Sequence, residues 1–274
     1  HITMDHYAII GSPVEHSRSP KIHRLFAEQL QHALVYEKIE ANEKTFQEKV
    51  EEFFTKGGKG INVTVPFKPL AFSISDKLGV NASSCGAVNT LSFSEDGRVY
   101  GESTDGNGLV EDLKNNNVAI NNKSILIVGA GGTAQSIIPS LLENNVGQIS
   151  ITNRTPSNAF KLKEQYLHLT EINCLDGKSI NRNFDLVINT TSAHLSGELP
   201  DIEPIAVEKA SSYDVNYSYG ETLFQSWATS HGATKSLQGW GMLVEQAAES
   251  FHIWRGVRPK TRVVIDRLSS EPEN

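Results

Sequence analysis

The stretch "LIVGAGGTAQS", residues 126–136, decides the fold that this sequence predicts. It places Gly129, Gly131 and Ala134 in the spacing G-x-G-x-x-A, between an apolar strand at 124–128 and a helix. The first glycine permits a tight turn, the second lets a pyrophosphate approach the backbone, and the small third residue lets helix and strand pack closely. The free N–H groups at the start of the helix attract phosphate. A tight turn without a ligand is the alternative, and the complete strand, turn, helix and strand pattern makes it the weaker one.

The residues after the next strand indicate which dinucleotide would bind. A site for NAD usually has an acidic side chain about 20 residues beyond the glycines, where it holds the ribose hydroxyls. Here the sequence reads Asn153, Arg154 and Thr155. Because a guanidinium binds a phosphate through two parallel hydrogen bonds, Arg154 favours the 2′-phosphate of NADP over the bare ribose of NAD. An arginine in solvent on a loop is the alternative, and the glycine turn upstream makes it the less favoured one.

Strands and helices alternate on both sides of this turn, which is typical of parallel sheets. Ser19 is a candidate helix cap, and Pro20 fits the first turn of a helix. The region 86–101 instead predicts two short strands around a turn at 95–97. Further strands are predicted at 7–11, 34–40, 61–65, 148–152, 185–189 and 212–215, and further helices at 44–54, 133–142, 157–166 and 242–254. The fold class is therefore α/β, with a second unit that starts after the asparagine-rich segment 115–123.

Composition excludes several classes of protein. The chain has 274 residues, 38% of them hydrophobic, which suffices for one large domain or two ordinary ones. A net charge of -7 and the lack of a dense basic run make nucleic-acid binding a poor expectation. The longest apolar runs fall short of the roughly 20 residues that span a membrane, and no secretory signal precedes the first strand. Cys85 and Cys174 form neither a C-x-x-C pair nor a disulfide framework, so a reducing cytoplasm fits best.

Five short segments carry small polar groups at predicted strand ends or helix starts. Some have an ordinary explanation by themselves: Ser19 as a cap, Asp105 as an acid in the first turn of a helix, Lys68 as a surface charge. The strand "NVTVPFK" differs because it offers an amide, a hydroxyl and an ammonium, all of them donors. The five segments are "HSRSP" from His16, "NVTVPFK" from Asn62, "GAVNT" from Gly86, "STDGNG" from Ser103 and "GMLVEQA" from Gly241.

Together with the glycine turn and "NRT", and in this order, these segments resemble the shikimate dehydrogenase family, which reduces 3-dehydroshikimate to shikimate with NADPH. The match runs through nearly the whole chain. It implies an α/β fold of two domains with a cleft between them: a substrate domain with a mainly parallel sheet at 4–104 and 241–274, and a Rossmann-type NADP-binding domain at 105–240. It also implies a cytoplasmic enzyme of aromatic amino-acid biosynthesis, a monomer or homodimer, that binds a small-molecule substrate and no metal, membrane or nucleic acid.

The resemblance assigns the chemistry to Lys68 and Asp105, which match the family's catalytic pair. The cofactor supplies the hydride. The ammonium would stabilise the charge that develops on the reacting oxygen, and beside a carboxylate it can act as a general acid and, in reverse, as a base. We hypothesise that Lys68 passes the proton; the sequence leaves Asp105 open as the donor.

The same resemblance assigns the binding residues. Ser17 and Ser19 would bind the substrate carboxylate, which Tyr217 would also approach. The remaining substrate contacts would be Asn62 in a supporting role, Thr64, Lys68, Asn89, Asp105 and Gln246. The cofactor would contact Gly129, Ala130, Gly131, Gly132, Thr133, Ala134, Asn153, Arg154, Thr155, Thr190, Asn216 and Gly239.

Several positions depart from the family pattern. Asn158 stands where many NADP-using members carry a second basic residue after "NRT", which leaves Arg154 with less help and makes Lys161 a candidate substitute. Asn216 replaces a commoner hydrophobic residue that would lie near the nicotinamide, and Ser103 replaces an asparagine before "TDG". The strictness of NADP over NAD is therefore open.

Three alternatives share parts of this pattern. A quinate or mixed quinate/shikimate dehydrogenase has the same scaffold, tolerates one more hydroxyl and often uses NAD. A catalytically silent sensor would bind the same ligands but would not need the acid–base pair of Lys68 and Asp105. The glycine turn alone would also fit a dehydrogenase of other small metabolites, which the substrate-domain segments disfavour.

Overall fold

The computed structural model describes residues 4–270 and Pro272; residues 1–3, 271, 273 and 274 lie outside the described part of the chain. The chain divides into two compact units. The first comprises the residues up to Gly108 and Leu243–Arg267, and the second comprises Leu109–Met242 and the residues from Leu268 onward. The functional domain limits given above stay a prediction. The compact units differ from them at 105–108, which group with the first unit, and at 241–242 and from Leu268 onward, which group with the second.

A six-stranded sheet of mixed direction forms the centre of the first unit. Its strands are β1 (Asp5–Gly11), β2 (Leu34–Glu40), β3 (Gly60–Val63), β4 (Lys77–Leu78), β5 (Thr90–Phe93) and β6 (Val99–Glu102), and its helices include α1 (Ser19–Leu30), α2 (Phe46–Thr55), α3 (Lys68–Ile74) and α4 (Val80–Cys85). The strand order is β2-β1-β3-β5-β6-β4. Strand β1 pairs in parallel with β2 and β3, whereas β5 pairs antiparallel with β3 and β6. Ile10, Ile61 and Leu91 are fully buried and pack with Phe46 and Phe67 in the core below the sheet.

An all-parallel sheet of six strands forms the centre of the second unit, in the order β12-β11-β10-β7-β8-β9. Its elements are β7 (Ser124–Val128), α6 (Gly132–Glu143), β8 (Gln148–Thr152), α7 (Pro156–Gln165), β9 (Asn173–Cys174), β10 (Leu186–Asn189), β11 (Ser211–Asp214), α8 (Leu223–Ser230) and β12 (Lys235–Gln238). Ile125 and Ile127 of β7 pack in one core, and Leu126 and Val128 pack in another. Strand β7 is apolar and buried from Ile125 to Val128, because a parallel strand covered on both faces buries the side chains of both.

Three helices contain the divisions between the compact units: α5 (Asp105–Asn115), α9 (Trp240–Arg255) and α10 (Arg262–Ser270). In the described part of the chain, every helix is too short or too polar to cross a membrane. Neither of the two described cysteines, Cys85 and Cys174, forms a disulfide.

The predicted α/β fold with mainly parallel sheets is confirmed, and some local predictions are wrong. Ser19 is the first residue of α1 and does not cap it; Arg18 holds the cap position and makes no side-chain cap bond. The backbone N–H of Ser19 instead donates to the Ser17 hydroxyl at 3.2 Å. Neither β12 nor α10 was predicted, and α10 follows the helix that was predicted at 242–254.

Candidate active site

The side chains of Lys68 and Asp105 meet in the first unit. Lys68 is the first residue of α3, a short distance along the chain from β3, and Asp105 is the first residue of α5, which follows β6. The Lys68 Nζ atom lies 2.8 Å from Asp105 Oδ2, and the two side chains are 27% and 13% exposed. An ammonium at a helix amino terminus is unfavourable by itself, because the helix dipole is positive there. The Asp105 carboxylate offsets this, since it lies at its own helix amino terminus and neutralises the ammonium.

The Asn89 side chain connects this ion pair to helix α9. Its Nδ2 atom lies 3.1 Å from Asp105 Oδ1 and 3.2 Å from Gln246 Oε1. Its Oδ1 atom accepts the backbone N–H of Thr104 and the hydroxyl of Thr90, each at 2.9 Å. Asn89 is 3% exposed. The amide therefore fixes the carboxylate of Asp105 and the side-chain oxygen of Gln246 relative to each other.

The Asn62 side chain contacts the backbone of Asn89. Its Oδ1 accepts the hydroxyl of Tyr36 at 2.7 Å, and its Nδ2 donates to the Asn89 backbone oxygen at 3.2 Å and to Ser250 Oγ at 3.1 Å. Because both ends of this buried amide have partners within the protein, its position suits the supporting role that was predicted for it.

Ser17, Ser19 and Thr64 follow β1 or β3 at the carboxyl ends of these two parallel strands, which pair Ile10 with Val63. The carboxyl ends of neighbouring parallel strands share one edge of a sheet, where ligands of α/β folds usually bind. Ser17 and Thr64 are half-buried and Ser19 is buried.

Gly11 leaves space for Thr64. A Cβ atom at Gly11 would lie 2.3 Å from Thr64 Cγ2 and 3.0 Å from Val14 Cγ1. No real Cβ atom makes the first of these contacts, so a larger residue at position 11 would displace Thr64.

Tyr217 belongs to the second unit, where its ring packs against Trp240 with 4.4 Å between the centroids. It is 40% exposed, so its hydroxyl-bearing ring is accessible from solvent. Its predicted contact with the substrate carboxylate stays a prediction.

The glycine turn of the second unit joins β7 to α6. Gly129 has φ +110, and a Cβ atom there would lie 2.4 Å from Thr190 Oγ1, so this position requires glycine. Gly131 has φ -91, and a Cβ atom there would meet nothing within 4 Å. Nothing in the described protein therefore explains the second glycine, whereas a ligand that approaches the backbone does. Gly132 begins the helix, and Ala134 is fully buried against the strand side.

The other predicted cofactor residues surround this turn or stabilise the loops beside it. Thr190 donates its hydroxyl to Val128 O at 2.8 Å, next to the turn. Asn216 donates its amide to Thr191 O at 2.9 Å, so its side chain holds the loop. A Cβ atom at Gly239 would lie 2.0 Å from Val215 O, which explains why this position is glycine. The remaining predicted contacts, Ala130, Thr133 and Thr155, are partly or fully exposed.

A cavity of about 860 Å³ opens in the second unit beside the glycine turn. Gly129, Asn153 and Arg154 line it, as the sequence predicts for a nucleotide site. The volume lies within the range of small-molecule and cofactor sites. Cys174 and Asp176, at and after the end of β9, also line it, so the cavity lies along the carboxyl ends of β7, β8 and β9.

Arg154 and Lys178, whose side chains are cationic and line this cavity, each form an exposed ion pair. Arg154 Nη2 lies 3.3 Å from Glu198 Oε2, and Lys178 Nζ lies 3.3 Å from Asp201 Oδ2. Their side chains are 58% to 79% exposed. Exposed pairs of this kind contribute little free energy, so a phosphate can replace either carboxylate at low cost.

Lys178 is a candidate that the sequence did not reveal. It lines the cavity together with Arg154. Asn158, where many family members carry a basic residue, and Lys161, its candidate substitute, are exposed on α7 and do not line the cavity. No motif marks Lys178, because it follows β9 and reaches the cavity only through the parallel order of β7, β8 and β9. Among the described residues, no group of three His, Cys, Asp or Glu side chains could hold a metal ion.

Comparison with family models gives three matches along the chain. The model described as the shikimate dehydrogenase substrate binding domain matches residues 9–91. The model described as shikimate / quinate 5-dehydrogenase matches residues 111–203. The model described as the shikimate 5'-dehydrogenase C-terminal domain matches residues 239–268.

Comparison with known proteins gives relatives that match over almost their full length. A curated relative, shikimate dehydrogenase (NADP(+)) from Alkalilimnicola ehrlichii, is 45% identical over 269 residues, which are 97% of this chain and 99% of the relative. The crystal structure of an Ael1 enzyme from Pseudomonas putida is 37% identical with a TM-score of 0.92 and covers 98% of this chain and 100% of that one. Shikimate 5-dehydrogenase from Thermus thermophilus, in complex with NADP(H) and shikimate, is 27% identical with a TM-score of 0.86 and covers 97% of this chain and 100% of that one.

Proposed function

This chain belongs to the shikimate dehydrogenase family, and from that premise we propose that it reduces 3-dehydroshikimate to shikimate with NADPH, reversibly, in the shikimate pathway of aromatic amino-acid biosynthesis. One observation carries the proposal beyond family membership. Lys68 and Asp105 form a partly buried ion pair of 2.8 Å that is bonded through Asn89 to Gln246. A silent ligand-binding relative would not require this acid–base pair.

The reaction needs a hydride and a proton. NADPH supplies the hydride, which forms the new C–H bond at the carbonyl carbon while the electrons of the C=O bond move to oxygen. The Lys68 ammonium stabilises that oxygen and transfers a proton to it, so that a hydroxyl forms and Lys68 becomes neutral. The Asp105 carboxylate accepts a hydrogen bond from the ammonium at 2.8 Å and holds it in place before the transfer.

The substrate is a ring acid with several hydroxyls, and the polar groups of the first unit suit it. Ser17 and Ser19 bind its carboxylate, with Tyr217 as a further contact. Thr64, Asn89 and Gln246 bind its hydroxyls. What supports these assignments is the family motif at each position and the placement of Ser17, Ser19 and Thr64 after the carboxyl ends of β1 and β3.

The cofactor is NADP, and the second unit has the features that it requires. The start of α6 and the open space at Gly131 suit a pyrophosphate. Arg154 and Lys178, which line the same cavity, suit the 2′-phosphate. This pair of cations offers an alternative to the second basic residue that Asn158 replaces. We further propose a cytoplasmic location and a monomeric or homodimeric state, as the family resemblance implies.

The decisive experiment measures oxidation of NADPH by the purified chain with 3-dehydroshikimate, repeated with NADH and with 3-dehydroquinate. We expect the highest kcat/KM with 3-dehydroshikimate and NADPH. Faster turnover of 3-dehydroquinate would identify a quinate dehydrogenase instead. Binding of shikimate without turnover of either ketone would identify a sensor.

A further inference from the structure

The hydroxyl of Ser250 belongs to a buried polar cluster of the first unit, which hydrogen bonds connect to Asp105 through Thr90 and Asn89. Ser250, on α9, is fully buried. Its Oγ atom lies 2.7 Å from Thr90 Oγ1 and 3.1 Å from Asn62 Nδ2. Thr90 ends the segment "GAVNT", but the family resemblance assigns no role in binding or catalysis to Thr90 or Ser250, and both hydroxyls are buried and inaccessible to a substrate.

The directions of these hydrogen bonds follow from the chemistry of the groups. The backbone N–H of Thr104 can only donate, so the side-chain atom of Asn89 that faces it at 2.9 Å must be the oxygen. The Thr90 hydroxyl, 2.9 Å from the same oxygen, must then donate its single hydrogen to it. Thr90 has no second hydrogen, so Ser250, whose hydroxyl also lies 3.2 Å from the Gln246 backbone oxygen, donates at the shorter contact of 2.7 Å. Asn62 Nδ2 faces both hydroxyls, at 3.1 Å from Ser250 Oγ and 3.3 Å from Thr90 Oγ1, so the bonds run from Asn62 and Ser250 through Thr90 to Asn89.

The Thr104 N–H and the Thr90 hydroxyl together hold the Asn89 amide with its nitrogen toward the catalytic carboxylate. With Oδ1 held by two donors, Nδ2 is turned toward three oxygen atoms, Thr104 Oγ1 at 2.9 Å, Asp105 Oδ1 at 3.1 Å and Gln246 Oε1 at 3.2 Å. A rotated amide would place an oxygen against the carboxylate and leave the Thr90 hydroxyl and the Thr104 N–H facing an NH2 group. Unpartnered polar groups at buried positions are costly.

We propose that Thr90 and Ser250 are positioning residues, which act through the Asn89 amide to hold Asp105, and through it Lys68, in the geometry for proton transfer. The inference rests on the proposed function, since it concerns the same reaction. It differs from a purely structural role, in which the two hydroxyls would only complete the hydrogen bonding of a buried cluster and any hydroxyl loss would affect stability alone.

The test compares replacements that keep or remove the hydroxyl at one position. Thr90→Val keeps the shape of the side chain and removes the donor, whereas Thr90→Ser keeps the donor. Ser250→Ala removes the preceding hydroxyl. Ser150→Ala is the matched control, because Ser150 is a buried serine of β8 whose hydroxyl has no hydrogen-bond partner among the described residues. Thermal unfolding of each variant sets a temperature at which all of them are folded.

We expect Thr90→Val to lower kcat about tenfold, the scale of losing one bond to a catalytic group, with a smaller change in KM for 3-dehydroshikimate. Thr90→Ser and Ser150→Ala should retain kcat within about twofold, and Ser250→Ala should fall between them and Thr90→Val. Wild-type kcat in both Thr90→Val and Ser250→Ala, or equal losses in Thr90→Val and Thr90→Ser, would overturn the proposal.

A second measurement is independent of turnover. In the folded wild-type protein, the side-chain NH2 resonances of Asn89 should report a rigid, hydrogen-bonded amide, and Thr90→Val should shift or broaden them while Thr90→Ser leaves them in place. If the wild type turned over neither 3-dehydroshikimate nor a related ketone, the proposed function would fail. These resonances would still show whether Thr90 holds the Asn89 amide in position. Identical Asn89 resonances in wild type and Thr90→Val would refute it.

Discussion

The ammonium of Lys68 lies 2.8 Å from the carboxylate oxygen Oδ2 of Asp105, although the two residues are 37 positions apart in sequence. Each side chain is mostly shielded from solvent. A charge pair in such surroundings is screened by solvent less than a surface pair, so each partner depends on the other for its position.

Replacement of Lys68 by alanine should lower kcat by about 100-fold or more, the usual scale for a positioned acid–base group. Substrate binding should stay largely intact, because the serines and amides proposed to bind the carboxylate and the hydroxyls remain. Steady-state kinetics and a separate measurement of the Kd for shikimate distinguish the two effects. The control is Lys77→Ala, which removes an exposed lysine from β4 of the same unit. Unchanged turnover in Lys68→Ala would rule out the assignment of the proton to this residue.

Replacement of Arg154 by alanine should weaken binding of NADP by about 1 to 3 kcal/mol, the scale of a lost charge-assisted hydrogen bond, with little effect on NAD. Replacement of Lys178 by alanine should act in the same direction and by a smaller amount, about threefold in Kd or more. Titration calorimetry with both cofactors measures the effects.

Lys161→Ala is the control for these cation losses, because Lys161 is exposed and does not line the cavity. Equal losses of NADP and NAD in Arg154→Ala would contradict the 2′-phosphate role. A loss in Lys161→Ala as large as that in Lys178→Ala would show that general charge, and not the cavity, governs the affinity.

Two glycines of the same turn should respond differently to alanine. Gly129→Ala should destabilise the protein by about 1 to 3 kcal/mol, because position 129 has φ +110 and the new Cβ would lie 2.4 Å from Thr190 Oγ1. Gly131→Ala should leave stability near wild type, since its φ is -91 and its Cβ would meet no protein atom within 4 Å. It should nevertheless raise the KM for NADPH by about tenfold, because the methyl group obstructs the approach of the pyrophosphate.

Thermal unfolding and cofactor kinetics of the two glycine variants separate stability from binding. A Gly131→Ala protein with wild-type KM for NADPH would show that the pyrophosphate does not approach this glycine. The cofactor assignment of the turn would then fail even if the fold were unchanged.

Local sequence signals predicted the parts of the molecule that depend on near neighbours. The strands at 34–40, 124–128 and 148–152 were predicted at their observed limits, because their apolar residues are continuous at 124–128 and alternate with polar ones at 148–152 and in part of 34–40. The hairpin of β5 and β6 was predicted from the turn at 95–97 and is antiparallel as expected.

Features that depend on distant contacts were not readable from local patterns. The strand β12 has four half-buried residues and no strong apolar signal, so its pairing with β11 identifies it only in three dimensions. Helix α3 was not predicted, because Pro66 indicated a break after the strand. Pro69 occupies the first turn of the helix, where the missing N–H has no cost. Lys178 and Ser250 reach their partners only through the order of strands and the packing of α9.

The last prediction concerns His23, which lies on α1 and is 1% exposed. Its ring stacks on Tyr36 with 4.5 Å between the centroids and meets Phe26 at 5.8 Å. Burial among these rings lowers the pKa of His23 to about 3, from its ordinary value of 6.5. Its Nε2 atom has no hydrogen-bond partner among the described residues.

The unfolded chain binds a proton at His23 below pH 6.5, whereas the folded chain does so only near pH 3. In this window the unfolded state holds more protons, so the free energy of unfolding falls as the pH falls. The contribution of His23 should reach about 3 kcal/mol at pH 4, from roughly 1.4 kcal/mol per unit of pKa difference. In His23→Phe the free energy of unfolding, measured by urea at pH 4 and pH 7, should therefore decline by that much less than in wild type. The same replacement at the exposed His252 should keep the wild-type dependence, and an equally steep decline in His23→Phe would show that the buried imidazole does not resist protonation.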